Sequence, residues 1–425
     1  MSRIGRRAFL TRSAVVLGAG AGAVVAAEVD STQTAGAAPV DGAVPSPSAQ
    51  FQMSQAELAE SEPFAAVHQA GILTPRPAQS TFAALDCFAP NRDILAETLQ
   101  ALSQRAGQLA VGGSIPLLEA DAPPADSGIL GPDNAPDSLT VTIAFGASLF
   151  DGRYGLAARR PRELVQMPTF AIDDLDPARS HGDVLLQICA GQRDTVVHTL
   201  RELLRTVRGS LQLRWVIDGF QGARRGPTAH NNARNLFAFR DGTSNPLTTD
   251  PAVMRQLVWA GSGEPAWAGG GTYEVVRVIR QHVEFWDRVA LTEQQNMIGR
   301  DRATGAPLGG TSEFEDPRYD LDPHGKRIRL DAHIRLANPR TDATSDQRIL
   351  RRSYNFSRGF DAAGQLDEGL IFVAFNRSPQ RQFVPVQNRL LSEPMIDYIT
   401  PVGGGYFFAP PGAVGPDWVG SGLFA

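Results

Sequence analysis

The chain has 425 residues, of which 42% are apolar and 20% are charged, a composition typical of a folded globular protein. Its formal net charge is -5, and no basic block interleaved with aromatic residues occurs. Nucleic acid is therefore not an expected partner, and a small molecule is favoured. At roughly 100–200 residues per domain, the length predicts two domains.

The N-terminal segment has the features of an export signal. Arg6 and Arg7 precede an apolar run, rich in glycine and alanine, that ends near Ala27. This run is shorter than the roughly 20 apolar residues of a membrane span. Basic, apolar and small residues in this order predict a twin-arginine signal over residues 1–37, cleaved after Ala27 or Ala37. We therefore expect export by the twin-arginine machinery to the periplasm, the cell envelope or the extracellular space.

Residues 38–64, rich in proline, serine and alanine, predict a flexible linker before a first domain over residues 65–220. Apolar periodicity in this domain predicts four strands and two helices. In chain order they are a strand over Ser80–Phe88, a helix from an Asn91 cap to about Leu109, strands over Leu139–Phe145 and Val184–Ala190, a helix from an Asp194 cap to Val207, and a strand over Leu211–Ile217. This order is the ferredoxin-like arrangement.

The same order of elements repeats over residues 221–425. The predicted elements are a strand over Tyr273–Ile279, a helix over Val283–Met297, strands over Leu330–Leu336 and Leu370–Phe375, a helix over Phe383–Ile399, and a strand over Tyr406–Phe408. The fold class is therefore α+β, with two tandem ferredoxin-like domains and antiparallel sheets. A parallel α/β fold is less favoured, because adjacent strands occur without an intervening helix.

The two cysteines, Cys87 and Cys189, each lie in an apolar strand-like run. Buried free thiols are favoured over a disulfide, although both states remain open. The sequence has no CxxC motif and no Cys/His spacing typical of zinc sites.

Polar residues alternate with apolar residues in the predicted strand over Leu330–Leu336. Asp331, His333 and Arg335 would share one face, which either meets water or lines a pocket. A lone histidine there would usually be structural. Nearby arginines make a binding role more plausible, because guanidinium groups suit carboxylates and oxyanions. They are Arg335, Arg340, Arg351 and Arg352.

A second polar segment, Asn235–Pro246, contains Asp241-Gly242 followed by Ser244-Asn245-Pro246. These residues favour turns. Taken alone, Asp241 would be a turn-forming residue whose side chain bonds to its own backbone.

Together the two segments resemble the signature motifs of dye-decolorizing (DyP-type) haem peroxidases, most closely the secreted deferrochelatase/peroxidase branch. Further matches cover most of the mature chain: His68–Ile72, Phe145–Asp151, Gly269–Tyr273, Glu284–Arg288, Gly305–Gly309 and Thr400–Phe408. The chain departs from the family at Ala238, where the family has glycine. The family fold, two ferredoxin-like domains with haem in the C-terminal one, agrees with the independent order of elements.

The resemblance implies a role for each residue of the haem site. His333 matches the proximal ligand of the iron in haem b. Asp241 matches the distal acid–base residue and Arg351 the distal arginine, which also contacts the cofactor. Arg352 would then point elsewhere.

Two short segments would hold the cofactor by the same resemblance. Residues expected to contact it are Gly242, Thr243 and Ser244 in the first, and Asn338, Pro339 and Arg340 in the second. Arg340 is expected to meet a propionate. The second ring nitrogen of His333 should donate to a carboxylate, either Glu393 or Asp397.

The expected function is an exported haem b peroxidase that reduces hydrogen peroxide while oxidising dyes or phenols. A related expectation is deferrochelation, the removal of iron from haem with the porphyrin left intact. The alternative is a non-catalytic haem carrier or sensor in iron uptake. Expected partners are hydrogen peroxide, small organic reductants or haem, an iron-permease system, and further copies of the chain in a homodimer or larger homo-oligomer. Because aspartate is ordinarily ionised well below neutral pH, dye oxidation should have an acidic optimum.

Overall fold

The computed structural model describes residues 60–425 except 117, 119 and 223–231. The predicted export signal, residues 1–37, lies outside the described residues, as does most of the predicted linker, residues 38–64. Within the described part of the chain, no helix combines the length and apolar character needed to cross a bilayer.

The first half contains the predicted strands and helices. Their bounds, with a short additional hairpin, are β1 Gln79–Cys87, α1 Arg92–Val111, β2 Gly113–Ser114, β3 Asp133–Asn134, β4 Thr140–Gly146, β5 Val184–Ala190, α2 Arg193–Thr206 and β6 Leu211–Phe220. Asn91 caps α1 as predicted, because its Oδ1 accepts from the backbone N–H of Ile94 at 2.9 Å. The predicted cap at Asp194 is wrong, since α2 begins at Arg193 and Asp194 lies within its first turn.

The second half departs further from the sequence prediction. Its helices and strands are α3 Pro251–Leu257, β7 Thr272–Gln281, α4 Val283–Trp286, α5 Leu291–Ile298, α6 His333–Ala337, β8 Leu350–Arg351, β9 Tyr354–Phe360, β10 Leu366–Asn376, α7 Phe383–Leu390 and β11 Ile399–Ala409. The helix predicted over Val283–Met297 is two helices. The one predicted over Phe383–Ile399 ends at Leu390, shortly before Pro394, whose ring cannot continue an α-helix.

Nine strands of the described chain form one large antiparallel sheet, in the order β7-β11-β4-β5-β1-β6-β9-β10-β8. An additional pairing between β7 and β10 closes the sheet on itself. The strands of the two halves join at β4–β11 and at β6–β9, where Phe220 pairs with Asn355. The predicted α+β class with antiparallel strands is therefore confirmed, and the two halves share a single sheet.

The inside of the closed sheet is an apolar core built by both halves. One cluster takes side chains from all eight strands that close the ring, including Phe82, Ile217, Phe356 and Phe407. A second cluster packs α1 and α2 against the outer face of the first half. Cys87 and Cys189 are free and buried, which confirms the expectation of buried thiols.

Glu274, on β7, is a fully buried carboxyl group between Tyr273 and Val275. Burial raises its pKa from 4.5 to about 8, although nearby Arg352 opposes the shift. The folded state therefore binds a proton that the unfolded chain releases above pH 4.5. Its contribution to stability is full below that pH and is lost as the pH rises to about 8.

We predict that Glu274→Gln removes this pH dependence, because glutamine has no proton to lose. The free energy of unfolding of the wild type, relative to the variant, should fall by up to about 1.4 kcal/mol per pH unit across that window. Urea unfolding of both proteins at several pH values in the window measures the difference. If the free energies of unfolding of the two proteins change in parallel with pH, Glu274 does not titrate abnormally.

Candidate functional site

His333 lies at the start of the short helix α6, so the strand predicted over Leu330–Leu336 is wrong. Alternation of apolar and polar residues over so short a segment cannot distinguish a strand from one helical turn. The surrounding tertiary structure therefore decides between them. Arg335 donates to the Ile328 carbonyl at 2.9 Å, and Arg389 donates to the Leu336 carbonyl at 2.8 Å near the end of the helix. The bond from Arg389 satisfies one of the carbonyl oxygens that the end of a helix leaves without an intrahelical partner.

The helix separates three residues that the sequence analysis placed on one face. Asp331 pairs with Arg329 at 2.8 Å, whereas Arg335 lies 3.4 Å from Asp322. His333 lines a large cavity instead. The predicted cationic cluster is therefore dispersed: Arg335, Arg340 and Arg351 form separate ion pairs, and Arg352 donates to backbone carbonyls.

The imidazole of His333 has a buried carboxylate partner. Its Nδ1 lies 2.7 Å from Oε2 of Glu393, whose side chain is 2% exposed. Of the two carboxylates predicted for this role, Glu393 makes the contact. A carboxylate can only accept, so Nδ1 carries the proton and Nε2 keeps a free lone pair. This tautomer is the one that a metal ligand requires.

The segment Asn235–Pro246 forms the predicted turns. Ala238 has a backbone φ of 67° and Gly242 a φ of 94°, both in the left-handed region. The N–H of Ala238 donates to the Asn235 carbonyl at 3.0 Å, which closes the first turn. The Asp241 side chain contacts Arg351 rather than its own backbone.

The left-handed backbone at Ala238 would suit glycine, the residue that the family resemblance leads us to expect at this position. A Cβ in that region costs about 1–2 kcal/mol, which glycine avoids. Glycine in turn lowers the stability of the protein by about 0.5–1 kcal/mol, because it gives the unfolded chain more conformational freedom. We predict that Ala238→Gly stabilises the protein by about 0.5–1 kcal/mol in denaturant unfolding. A destabilised variant would contradict the strain assigned to Ala238.

Asp241 and Arg351 form an ion pair, with Nη1 of Arg351 2.8 Å from Oδ1 of Asp241. Arg351 lies on β8, where it pairs with Ala374 of β10. Asn245 holds the backbone of Arg351 through both of its polar groups: its Nδ2 donates to the Arg351 carbonyl at 2.7 Å, and its Oδ1 accepts from the Arg351 N–H at 3.0 Å. Asn245 belongs to the predicted turn motif, but no local pattern indicates this contact, which joins residues 106 positions apart.

His333 and the Asp241–Arg351 pair line the same cavity, whose volume is about 1610 Å³ including its open mouth. The predicted site residues on its wall are Asp241, Thr243, Ser244, His333, Asn338, Pro339 and Arg351. Gly242 and Arg340 do not line it. The guanidinium of Arg340 instead lies 3.3 Å from Asp316.

The cavity combines apolar walls with an excess of positive charge. Six arginines line it against two carboxylates, those of Asp241 and Glu393. The arginines are Arg240, Arg277, Arg300, Arg348, Arg351 and Arg389. Burial lowers the pKa of Arg300, which donates to the carbonyls of Gly305 and Glu313. Such a surface suits a large apolar ligand that carries negative groups.

Two family profiles match the chain over nearly all of its described length. Residues 69–221 match the profile described as Dyp-type peroxidase, N-terminal, and residues 232–414 match Dyp-type peroxidase, C-terminal. The deferrochelatase of Escherichia coli K12 is 46% identical over 396 residues, which are 92% of this chain and 93% of that protein. The deferrochelatase of Yersinia pestis is 45% identical over 362 residues, covering 84% of this chain and 83% of that protein.

Solved structures agree with the sequence relatives. Ferric DtpA from Streptomyces lividans superimposes with a TM-score of 0.78 at 34% identity, covering 88% of this chain and all of that one. A DyP-type peroxidase from Cellulomonas bogoriensis gives a TM-score of 0.76 at 36% identity, with coverages of 85% and 98%. The chain is therefore an enzyme that belongs to the DyP-type peroxidase family, as its two motif segments predicted.

Proposed function

We propose that this enzyme is an exported haem b peroxidase that reduces hydrogen peroxide and oxidises dyes or phenolic compounds. One observation carries the proposal: a carboxylate-supported imidazole and an Asp–Arg pair line a single cavity. Family membership and the ferric and oxyferrous forms of DtpA, a related protein, support iron chemistry at this cavity.

The residues of the cavity fit haem. Within the described residues, no group of three or more His, Cys, Asp and Glu side chains could hold a bare metal ion. An iron atom held here needs ligands from a macrocycle, with His333 as its single protein ligand. Phe372, Leu370 and Val386 supply apolar wall for such a macrocycle, and the lining arginines can meet its carboxylates. The proposed cofactor contacts of Gly242 and Arg340 have less support, since neither lines the cavity.

Each polar residue has a distinct task in peroxide reduction. Haem would supply the electrons that cleave the O–O bond. Asp241 accepts a proton from one oxygen of hydrogen peroxide and returns it to the other, which leaves as water. Arg351 orients Asp241 and stabilises the negative charge that develops on the leaving oxygen. Glu393 keeps the Nδ1 proton of His333 in place and fixes the orientation of the imidazole ring.

The test is reconstitution of the mature chain with haem, followed by peroxide-dependent oxidation of an anthraquinone dye and a small phenol. We expect stoichiometric haem binding and turnover that requires peroxide. A protein that binds haem but leaves peroxide intact would match the non-catalytic carrier or sensor instead. The Asp241–Arg351 pair argues against that alternative, because a carrier has no use for acid–base groups.

Deferrochelation is a second candidate, favoured by the relatives of that name at 45–46% identity. The reaction would release iron from haem and leave protoporphyrin intact. Anaerobic incubation with haem and without peroxide tests it. Free protoporphyrin, seen by its fluorescence, would support the activity, and unchanged haem would exclude it under those conditions.

We also propose that each half is a ferredoxin-like unit, with the division near residue 220. The strand orders β4-β5-β1-β6 and β11-β7-β10-β9 support this, because both place the first and third strands of the unit in the centre. The twin-arginine signal over residues 1–37 remains the basis for proposing export to the periplasm, the cell envelope or beyond. An iron-permease partner and a homo-oligomeric state stay predictions.

A further inference from the structure

A short segment before β1 extends from the first half toward the strand that carries Arg351. Its sequence is Thr74-Pro75-Arg76-Pro77. The two prolines restrict the backbone on both sides of Arg76, so little conformational entropy is lost when this arginine is held in place. The Arg76 backbone is also held by a hydrogen bond, because Nε2 of Gln221 donates to the Arg76 carbonyl.

The segment and the strand bind each other reciprocally. Arg76 donates from Nη1 to the carbonyl of Ser353 at 2.6 Å. In the opposite direction, Arg352 donates from Nη2 to the carbonyl of Pro75 at 3.0 Å and from Nη1 to the carbonyl of Thr74. Two arginines, one from each half, thus hold the backbone of the opposite half. Hydrogen bonds from charged donors are about twice as strong as neutral ones.

These contacts act on the residues that directly follow Arg351. Asn245 holds the Arg351 backbone itself, and Arg76 holds Ser353 two residues later. The backbone that carries the distal guanidinium is therefore fixed from two directions. Its side chain then reaches Asp241 at 2.8 Å.

The charge of Arg76 also acts on the same site. Burial lowers the pKa of Arg76, the charge of Asp241 raises it, and those of Arg352 and Arg351 lower it. Asp241 therefore lies within the electrostatic range of a second cation besides its direct partner Arg351. That cation comes from the first half of the chain, outside both motif segments.

We propose that Arg76 is a positioning residue of the peroxide site. From the segment before β1 it holds the strand of Arg351 so that the guanidinium meets Asp241. This inference rests on the proposed peroxidase function and adds to it that the distal site depends on both halves of the chain.

The test compares haem-reconstituted Arg76→Met and Arg76→Lys with a matched control, Arg214→Met. Arg214 also donates to two backbone carbonyls, those of Ser180 and Pro177, but belongs to a different part of the sheet. Because a misplacement of about 1 Å can cost about a hundredfold in rate, we expect Arg76→Met to lower kcat/KM for peroxide about tenfold to a hundredfold. Haem affinity and the KM for dye should not change.

Two further readouts separate positioning from general stability. Arg76→Lys keeps a charged donor and should recover part of the rate that Arg76→Met loses. Asn245→Ala should act on the same strand, so its effect combined with Arg76→Met should be less than multiplicative.

Arg76→Met with the kinetics of the Arg214→Met control would overturn the inference, as would fully multiplicative effects of Arg76→Met and Asn245→Ala. If Arg76→Met does not fold, Arg76→Lys is decisive: a several-fold lower kcat/KM supports positioning, and wild-type kinetics overturn it. Failure of the proposed function would look different, because the wild type itself would then lack haem binding or peroxide turnover.

Discussion

Replacement of His333 by alanine is expected to abolish haem retention and peroxidase activity. His333 is the imidazole on the cavity wall that Glu393 supports at 2.7 Å. Without it, the proposed cofactor loses its protein ligand and keeps only contacts to the wall. Titration with haem, followed by the Soret band and by retention on gel filtration, measures the loss. Full retention with a normal peroxidase rate would contradict the assignment of the ligand.

Three further variants test the same assignment. His324→Ala removes an exposed histidine nearby in sequence and should leave haem binding unchanged. In His333→Gly, the space freed by the side chain should let added imidazole restore part of the haem spectrum. Glu393→Gln should keep a ligand in place but weaken haem affinity about tenfold to a hundredfold, since partners of ligating histidines have effects of that size.

Replacement of Asp241 by asparagine should lower kcat/KM for hydrogen peroxide by about a hundredfold to ten-thousandfold, the usual contribution of a positioned acid–base group. Asparagine has nearly the same shape, and its carbonyl can still accept from Arg351, but it cannot take up a proton. Stopped-flow measurement of the peroxide reaction reports the loss. Haem affinity should stay at the wild-type value.

The matched control is Asp320→Asn, which neutralises an aspartate paired with Arg318 at the surface. It should leave peroxide kinetics unchanged. A rate for Asp241→Asn within about threefold of the wild type would remove Asp241 from the acid–base role. An optimum for dye oxidation above neutral pH would also count against it, because the expected optimum is acidic.

Strong local patterns in the sequence identified most of the fold. The strands of the first half and the Asn91 cap follow from apolar alternation and from a side chain that satisfies a free N–H. The continuous apolar run over Leu370–Phe375 likewise predicted β10. The segment around His333 was misread, because a few alternating residues fit a strand and a helical turn equally well. The end of this helix is held by Arg389, which lies 53 residues further along the chain and donates to the Leu336 carbonyl, a contact that the local sequence does not indicate.

By itself, the sequence predicted the family from its motifs and the α+β class from apolar periodicity, and it singled out His333, Asp241 and Arg351 as site candidates, because these patterns are local properties. Only the tertiary structure decided that Glu393 rather than Asp397 contacts His333 and that Arg340 does not line the cavity. It also decided that Asn245 and Arg76 hold the strand of Arg351. These contacts join residues far apart in the chain. These contacts form only when the two halves close into one sheet, so no local pattern in the sequence could specify them.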